Sequence, residues 1–466
     1  MMDLASRWPQ LAAYFSDFKI PVAIVDLEST GGNLYADRVT EIAVLRFENG
    51  TIQRYEWLVN PKQSISQFIT ALTGIDNAMV ADAPAFADLS DTLLPLLRGT
   101  LLIAHNSRFD YTFLRHEFQR IGVSFAAPTL CTVQLSRRLY PQFHKHNLDS
   151  IIQRFDIDAA QRHRAMTDVM ALADFLEKSL AEKGTEEWER HFHSLIQPKI
   201  LPAWLPAALS QQIYALPDSY GVSIWRDKKG NATSMHVHEK AFSEIAASLQ
   251  NQESVPFIRE ISDIQFIPAL GKLHALYQKA QLATEHASRP SEKSSHYLTV
   301  QFTTDECSRL QAKIVSLSNG CMTHPPTGLF LHKKSAKRAL TAWANEYGLC
   351  PSSLNILPTT HAHNVPCPVQ EIGRCSGHCH TESGIETQNR KILEHAPSLP
   401  VADWGKARKV EVVESDVLSG REIVLNCEGG ALELPDGRWY FDHTLPALLK
   451  EKFKSGKNAV HIIKAV

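Results

Sequence analysis

Between Pro21 and about Glu182 the chain alternates short apolar, β-branched runs with stretches whose apolar positions recur every three or four residues. PVAIVDLES reads as a buried strand, and TEIAVLRFENGTIQRYEWLV as two further strands turned at Glu48-Asn49-Gly50, where Asn-Gly suits a tight hairpin. LLPLLRG and LLIAHN predict a helix and then a strand, and RFDYTFLRHEFQRIG an amphipathic helix. TDVMALADFLEKSLAEKG closes the unit with a long helix ending at Gly184. The pattern as a whole predicts an α/β domain over residues 20–185.

Beyond it the proline-spaced QPKILPAWLPAALS places a linker over residues 186–212. A small α/β pattern occupies 213–292, and a third region, 296–400, contains most of the cysteines. Residues 401–466 hold short strand-like runs such as REIVLNCEGG and a hairpin signal at Pro435-Asp436-Gly437, and are otherwise unassigned. A chain of 466 residues is long enough for about three such domains.

Composition is that of a soluble globular protein, with 44% hydrophobic and 21% charged residues. No apolar run approaches the roughly 18 residues of a membrane span. The amphipathic start MMDLASRWPQLAAYF lacks the cationic beginning and cleavage site of a signal peptide, so no membrane association and a cytoplasmic location are expected. The formal net charge of -2 neither supports nor excludes a nucleic-acid partner, because a local basic groove or bound cations can hold a phosphate backbone.

Candidate chemistry begins in the first strand. Asp26 and Glu28 are two positions apart and so share a strand face, where two carboxylates can share a cation. Taken alone, Asp-x-Glu is more often a solvated strand end. Asp110 follows the LLIAHN strand in the first turn of a helix, where an acid also complements the helix dipole. His163 lies five residues before Asp168, about 140° around a helix, so the two cannot share a helical face. The histidine is therefore expected on the loop before the closing helix, overhanging a site that Asp168 reaches from the helix.

DLESTGG, HNSRFD and HRAMTD, in that order, resemble the three exonuclease motifs of the DEDDh superfamily, most nearly the proofreading epsilon subunits of bacterial DNA polymerase III. The resemblance covers about residues 20 to 180 and implies an RNase H-like mixed sheet. It departs nearby only at Ser29, where threonine is more usual. It implies that Asp26, Glu28, Asp110 and Asp168 hold two Mg²⁺, or Mn²⁺, and that His163 takes the proton from the attacking water. TALTGID resembles the turn beside the family's substrate groove, so Thr73 and Gly74, with Thr30 and Asn106, are expected to line it. The implied reaction is 3′-to-5′ removal of nucleoside monophosphates from DNA, single strands or 3′ ends, in repair or proofreading, with polymerase or repair proteins as candidate partners.

The second module resembles the opening of the GIY-YIG nuclease domain of the UvrC and Cho excision nucleases without its chemistry. Ser223 stands at the first catalytic tyrosine, Ser234 or His236 at the second, no basic turn appears in AFSEIAASLQ, and Lys279 takes the place of the metal-binding glutamate. A charged lysine cannot ligate Mg²⁺. The expectation is a degenerate GIY-YIG domain kept for shape or DNA contact. GLFLHKKSAKRALTAWANEYGLCP continues the UvrC-like resemblance to about residue 400.

Cys350, Cys367, Cys375 and Cys379 fall within thirty residues, which in a reducing compartment reads as a metal site. The cluster resembles the iron-sulfur cysteines of UvrC-like proteins. Only Cys375 and Cys379 have the close pairing usual for Zn²⁺, although His361, His363, His378 and His380 leave a mixed zinc site open. Two other functions share these residues. An RNA-trimming exoribonuclease would use every catalytic group named, and a non-catalytic DNA-binding scaffold related to UvrC would use only the second half.

Overall fold

In this computed structural model residues 4–159, 162–285, 294–356, 370, 372–373, 381–401, 409–455 and 460–462 are described. The chain divides into two compact units, Met1–Pro268 with Asp416–Gly420, and Ala269–Ser415 with Arg421–Val466.

The first unit opens with five strands, β1 (Val22–Ser29), β2 (Val39–Glu48), β3 (Thr51–Leu58), β4 (Leu101–Ala104) and β5 (Thr129–Cys131), in the order β3-β2-β1-β4-β5. The first three run antiparallel while β4 and β5 run parallel to β1, which makes an RNase H-like mixed sheet. The β2–β3 hairpin turns where the sequence places it, with Asn49 at φ 49° and Gly50 at φ 73°, the two left-handed positions such a turn requires.

Alternation along β1 divides its side chains between two cores. Ala23, Val25 and Leu27 pack on one face with Phe113, Leu114 and Phe118 of the Arg108–Arg120 helix. Val22 and Ile24 pack on the other with Val169, Leu172 and Leu176 of the Ala165–Lys183 helix. Asp26 and Glu28 continue this second face after its apolar residues end.

The expected linker is built into the fold. Thr185–Leu195 is a helix whose Trp188 and Phe192 are fully buried, and Leu201, Leu205 and Leu209 are buried beyond it. The physical reason is that Gly184 both ends the preceding helix and stands at the N-terminus of the next, at φ 75°. The unit closes with β6 (Gly221–Asp227), β7 (Ala232–His238) and β8 (Ile261–Pro268), an antiparallel sheet ordered β7-β6-β8.

In the second unit β9 (Ser294–Thr304) and β10 (Leu310–Ser318) form an antiparallel pair. A six-stranded sheet contains β11 (Gly320–Met322), β12 (Lys409–Asp416), β13 (Arg421–Glu428), β14 (Ala431–Glu433), β15 (Trp439–Phe441) and β16 (Val460–Ile462), ordered β11-β15-β14-β13-β12-β16. The Pro435-Asp436-Gly437 signal is the turn between β14 and β15, closed by the Leu434 N–H donation to Arg438 O at 2.8 Å. Residues 401–466 thus supply most of this sheet, with β11 added from the preceding region. Among the described residues no helix is long and apolar enough to cross a membrane.

Candidate active site

β1 and β4 run parallel; β1 carries two of the carboxylates in its C-terminal half, and the chain leaves β4 into the helix that carries a third. Asp26 and Glu28 are half-buried on β1. Asp110 is buried in the first turn of the Arg108–Arg120 helix, directly after β4, and Asp168 is buried in the first turn of the Ala165–Lys183 helix. These helices cover opposite sheet faces, so the site forms where both meet the strand ends.

His163 lies before the helix at φ 60°, a left-handed conformation that a residue with a Cβ adopts at a cost. There its ring nitrogen, a Glu28 oxygen and an Asp168 oxygen all lie within 4.8 Å of one another. Thr30 directly follows the end of β1, its hydroxyl donating to Asp37 at 2.9 Å and accepting from the Arg38 N–H at 3.1 Å. Asp37 also leaves no room for a Cβ at Gly31. Asn106 takes φ 67° between β4 and the Asp110 helix. Thr73 is buried, its hydroxyl engaged by Ile69 O and Ile75 N–H, and Gly74 caps the same helix at φ 72°. These bonds are internal to their turn.

Like charge and burial load the site electrostatically. Burial, then the nearby Asp110 and Glu28 carboxylates, hold Asp26 well above the usual carboxylate range. Burial raises Glu28 to about 8, helped by Glu41 and Asp110, and burial raises Asp110 to about 8. Such a cluster favours protons or cations over its ionised, empty form. Hard oxygen donors with one imidazole suit Mg²⁺ or Mn²⁺, so the residues fit a divalent centre.

Four neighbours escaped the sequence reading. Arg162 pairs with Asp168 and donates to Asp149 at 2.8 Å. Glu41, fully buried on β2 opposite Glu28, accepts from Arg164 and from the Ala165 N–H. His105 hydrogen-bonds Thr132 at 2.9 Å and burial pushes its imidazole down to about 4. The alternating Arg162-His163-Arg164 was the available signal for the two arginines, whereas Glu41 lies 123 residues from its partner.

Residues 23–176 match the family model described as Exonuclease. The chain therefore carries an exonuclease domain. Residues 297–397 match a second model, UvrC/Cho excinuclease, middle domain. DNA polymerase III PolC-type of Caldanaerobacter subterraneus is 35% identical over 158 residues, 34% of this chain and 11% of that protein. The 3′-5′ exonuclease DinG of Bacillus subtilis is 34% identical over 148 residues, 31% of this chain and 16% of its own. A DNA polymerase III subunit epsilon-like protein of Rhodobacter capsulatus is 36% identical over 164 residues, 34% of this chain and 23% of its own. Each alignment spans less than a quarter of the relative. Among solved structures, Exonuclease X in complex with 5′ overhanging duplex DNA is 25% identical, with a TM-score of 0.31, covering 37% of this chain and 98% of that one.

In the 213–292 region Ser223 is fully buried on β6. Its Oγ lies 2.8 Å from His238 Nε2 and accepts from Trp225 Nε1 at 3.1 Å, while His238 Nδ1 lies 2.9 Å from Glu244. Ser–His–Glu order of this kind can activate a nucleophile, but a serine with no exposed surface meets no substrate. Ser234 and His236 lie on β7, His236 opposite Ser223. Lys279 is on the Lys272–Glu285 helix, which belongs to the second unit. Cys350 is buried, its Sγ accepting the Ser353 N–H at 3.4 Å. Cys367, Cys375 and Cys379, with His361, His363, His378 and His380, lie outside the described residues.

Proposed function

We propose that this chain is a divalent-metal-dependent 3′-to-5′ DNA exonuclease of the DEDDh type, acting in repair or proofreading. The observation that carries the reading is the gathering of Asp26, Glu28 and Asp110, which burial and, for Asp26 and Glu28, neighbouring carboxylates hold above the usual carboxylate range, with Asp168 and His163 beside Glu28. The names of the polymerase III and DinG relatives support DNA as substrate and the 3′-to-5′ direction. Asp26, Glu28, Asp110 and Asp168 would hold two Mg²⁺ or Mn²⁺. When bound, these ions supply a hydroxide near neutral pH and offset charge on the phosphoryl and leaving oxygens. His163 accepts the proton of the attacking water, and its loop is held by Glu41 through Arg164 and the Ala165 N–H. Thr30, Thr73, Gly74 and Asn106 are assigned to the substrate groove.

The remaining assignments follow the same frame. Residues 213–292 are a degenerate GIY-YIG domain without incision chemistry, 296–400 a UvrC-like region, and Cys350, Cys367, Cys375 and Cys379 ligate an iron-sulfur cluster, with Zn²⁺ the alternative. Partners are 3′ ends of DNA and a polymerase or repair protein. The test is purified full-length protein with Mg²⁺ given 3′-labelled single-stranded DNA, duplex DNA and RNA in parallel. Release of labelled mononucleotides from DNA in preference to RNA is expected, and preferential release from RNA would transfer the chain to the exoribonuclease class.

A further inference from the structure

The Lys333–Glu346 helix carries its charges in the reverse of the order its dipole favours. Lys333, Lys334, Lys337 and Arg338 are all exposed, no acid lies in the first turn, and the one acid, Glu346, is the last residue. A helix N-terminus is itself partly positive, so cations there are unfavourable. Lys333 with Lys337 and Lys334 with Arg338 are in addition like-charged pairs one turn apart. At 100° per residue the four span an arc of about 140°, one edge of which overlaps the buried stripe of Ala336, Leu340, Trp343 and Ala344.

The apolar face of the helix packs with Val300 of β9 and Ala312 of β10, and neither strand contains a carboxylate. The Glu382–His395 helix, whose Ile392 shares this core and whose His395 O accepts from Trp343, carries Glu382, Glu386 and Glu394, but among the described residues none of these pairs with the arc. Among the described residues none of the four cations forms an ion pair, whereas Arg309, Lys409, Arg438 and Lys452 of the same unit do. Four unpaired cations within six residues, in a chain of net charge -2, form a local feature that folding alone does not require.

We propose that this face of the Lys333–Glu346 helix binds the phosphate backbone of DNA, giving the chain a contact with nucleic acid separate from the carboxylate site. Charge complementarity selects a polyanion, and a chain with an exonuclease domain has nucleic acid as its polyanionic substrate. The choice of DNA over other polyanions rests on the function proposed above. Flexible lysines on an exposed surface neutralise phosphates without reading bases, so the contact holds any sequence and is salt-dependent.

The test measures binding of the full chain to a fluorescein-labelled DNA duplex by anisotropy, in EDTA, from about 50 to 200 mM salt. Replacing Lys333, Lys334, Lys337 and Arg338 together with glutamine should weaken binding at least about tenfold and reduce the slope of log K against log salt by about 3 to 4. Lys337→Gln alone should reduce the slope by about 1. Because the substitutions remove like-charge repulsion, the variants should unfold at the same temperature as the parent or higher. Nucleotide release with Mg²⁺ from a short oligonucleotide that fills only the active site should be unchanged. A parent protein that releases no nucleotide would defeat the exonuclease reading, while the binding slopes would still decide this face. Wild-type slopes in both variants would overturn the proposal. So would loss of binding to poly-L-glutamate with DNA binding intact, which would reassign the face to an acidic protein.

Discussion

Arg164 donates from Nη2 at 2.6 Å and Nε at 3.0 Å to the same oxygen of Glu41, while the Ala165 N–H donates to the other oxygen at 2.8 Å. One carboxylate on β2 thus holds both ends of the peptide step that follows His163, and it stands opposite Glu28 in the sheet register. His163 and Glu28, the proposed base and one of the proposed metal ligands, are located by adjacent parts of one strand pair. Glu41→Gln should therefore lower kcat at least about tenfold with little change in KM, because the loop that aims His163 loosens while the groove remains. Glu41 is fully buried but Arg164 is a quarter exposed, so the loss of stability should be on the order of 2 kcal/mol, toward the lower range for charged hydrogen bonds. Steady-state kinetics beside urea unfolding checks both; a rise in KM alone would count against a positioning role.

The raised carboxylates imply opposed effects of pH on stability and on metal affinity. Glu28 and Asp110 titrate at about 8 in the folded chain, against about 4 when unfolded. Between these values the metal-free folded state binds more protons than the unfolded state, so its stability should fall as pH rises from about 4 to 8. A divalent ion displaces those protons, so its affinity should rise over the same window and level off above about 8. Calorimetric Mg²⁺ titrations at several pH values measure this, and pH-independent affinity would contradict it.

His163→Asn should preserve the backbone, since asparagine tolerates the left-handed region better than most residues, and remove the proposed base. Nucleotide release should fall roughly 10²-fold or more, with Mg²⁺ affinity largely kept. Rapid-quench kinetics beside metal titration separates the two effects.

In the second module Ser223→Ala should cost about 1–3 kcal/mol, because His238 Nε2 and Trp225 Nε1 lose a buried partner. Plasmid nicking should be absent from Asp26→Ala protein, and Lys279→Glu should not create it. Urea unfolding and a supercoiled-plasmid assay with Mg²⁺ or Mn²⁺ read these outcomes. Nicking by the Asp26→Ala protein would show that the module cuts DNA by other residues.

Protein purified without oxygen should be brown, with about four irons per chain if Cys350, Cys367, Cys375 and Cys379 bind a cubane. Colourless protein with one zinc would exchange the cluster for a zinc site.

The sequence made the sheet's first half and the carboxylates legible for one reason, the strict alternation of β1. The same period that puts Val22 and Ile24 in a core carries Asp26 and Glu28 to the end of that core. The Asn49-Gly50 turn was equally local. What escaped was non-local or double-valued. Glu41 looks like an ordinary strand acid until Arg164 arrives from 123 residues away. Gly184 looks like a stop, yet it also begins the next helix, and Trp188 and Phe192 turn an expected linker into part of the core. Ser223 signals a missing tyrosine in the sequence, whereas its buried bonds to His238 and Trp225 appear only once β6 and β7 pair.

The most direct test of the carboxylate site compares wild-type and Asp26→Ala protein on 3′-labelled DNA with Mg²⁺, with thermal unfolding of both without metal. Wild-type protein should release labelled nucleoside monophosphate and stop in EDTA. Asp26→Ala should release none, yet unfold at the same or a higher temperature, because a carboxyl crowded by Asp110 and Glu28 has been removed at no cost to the core. Undiminished release by a folded Asp26→Ala protein would contradict the site itself.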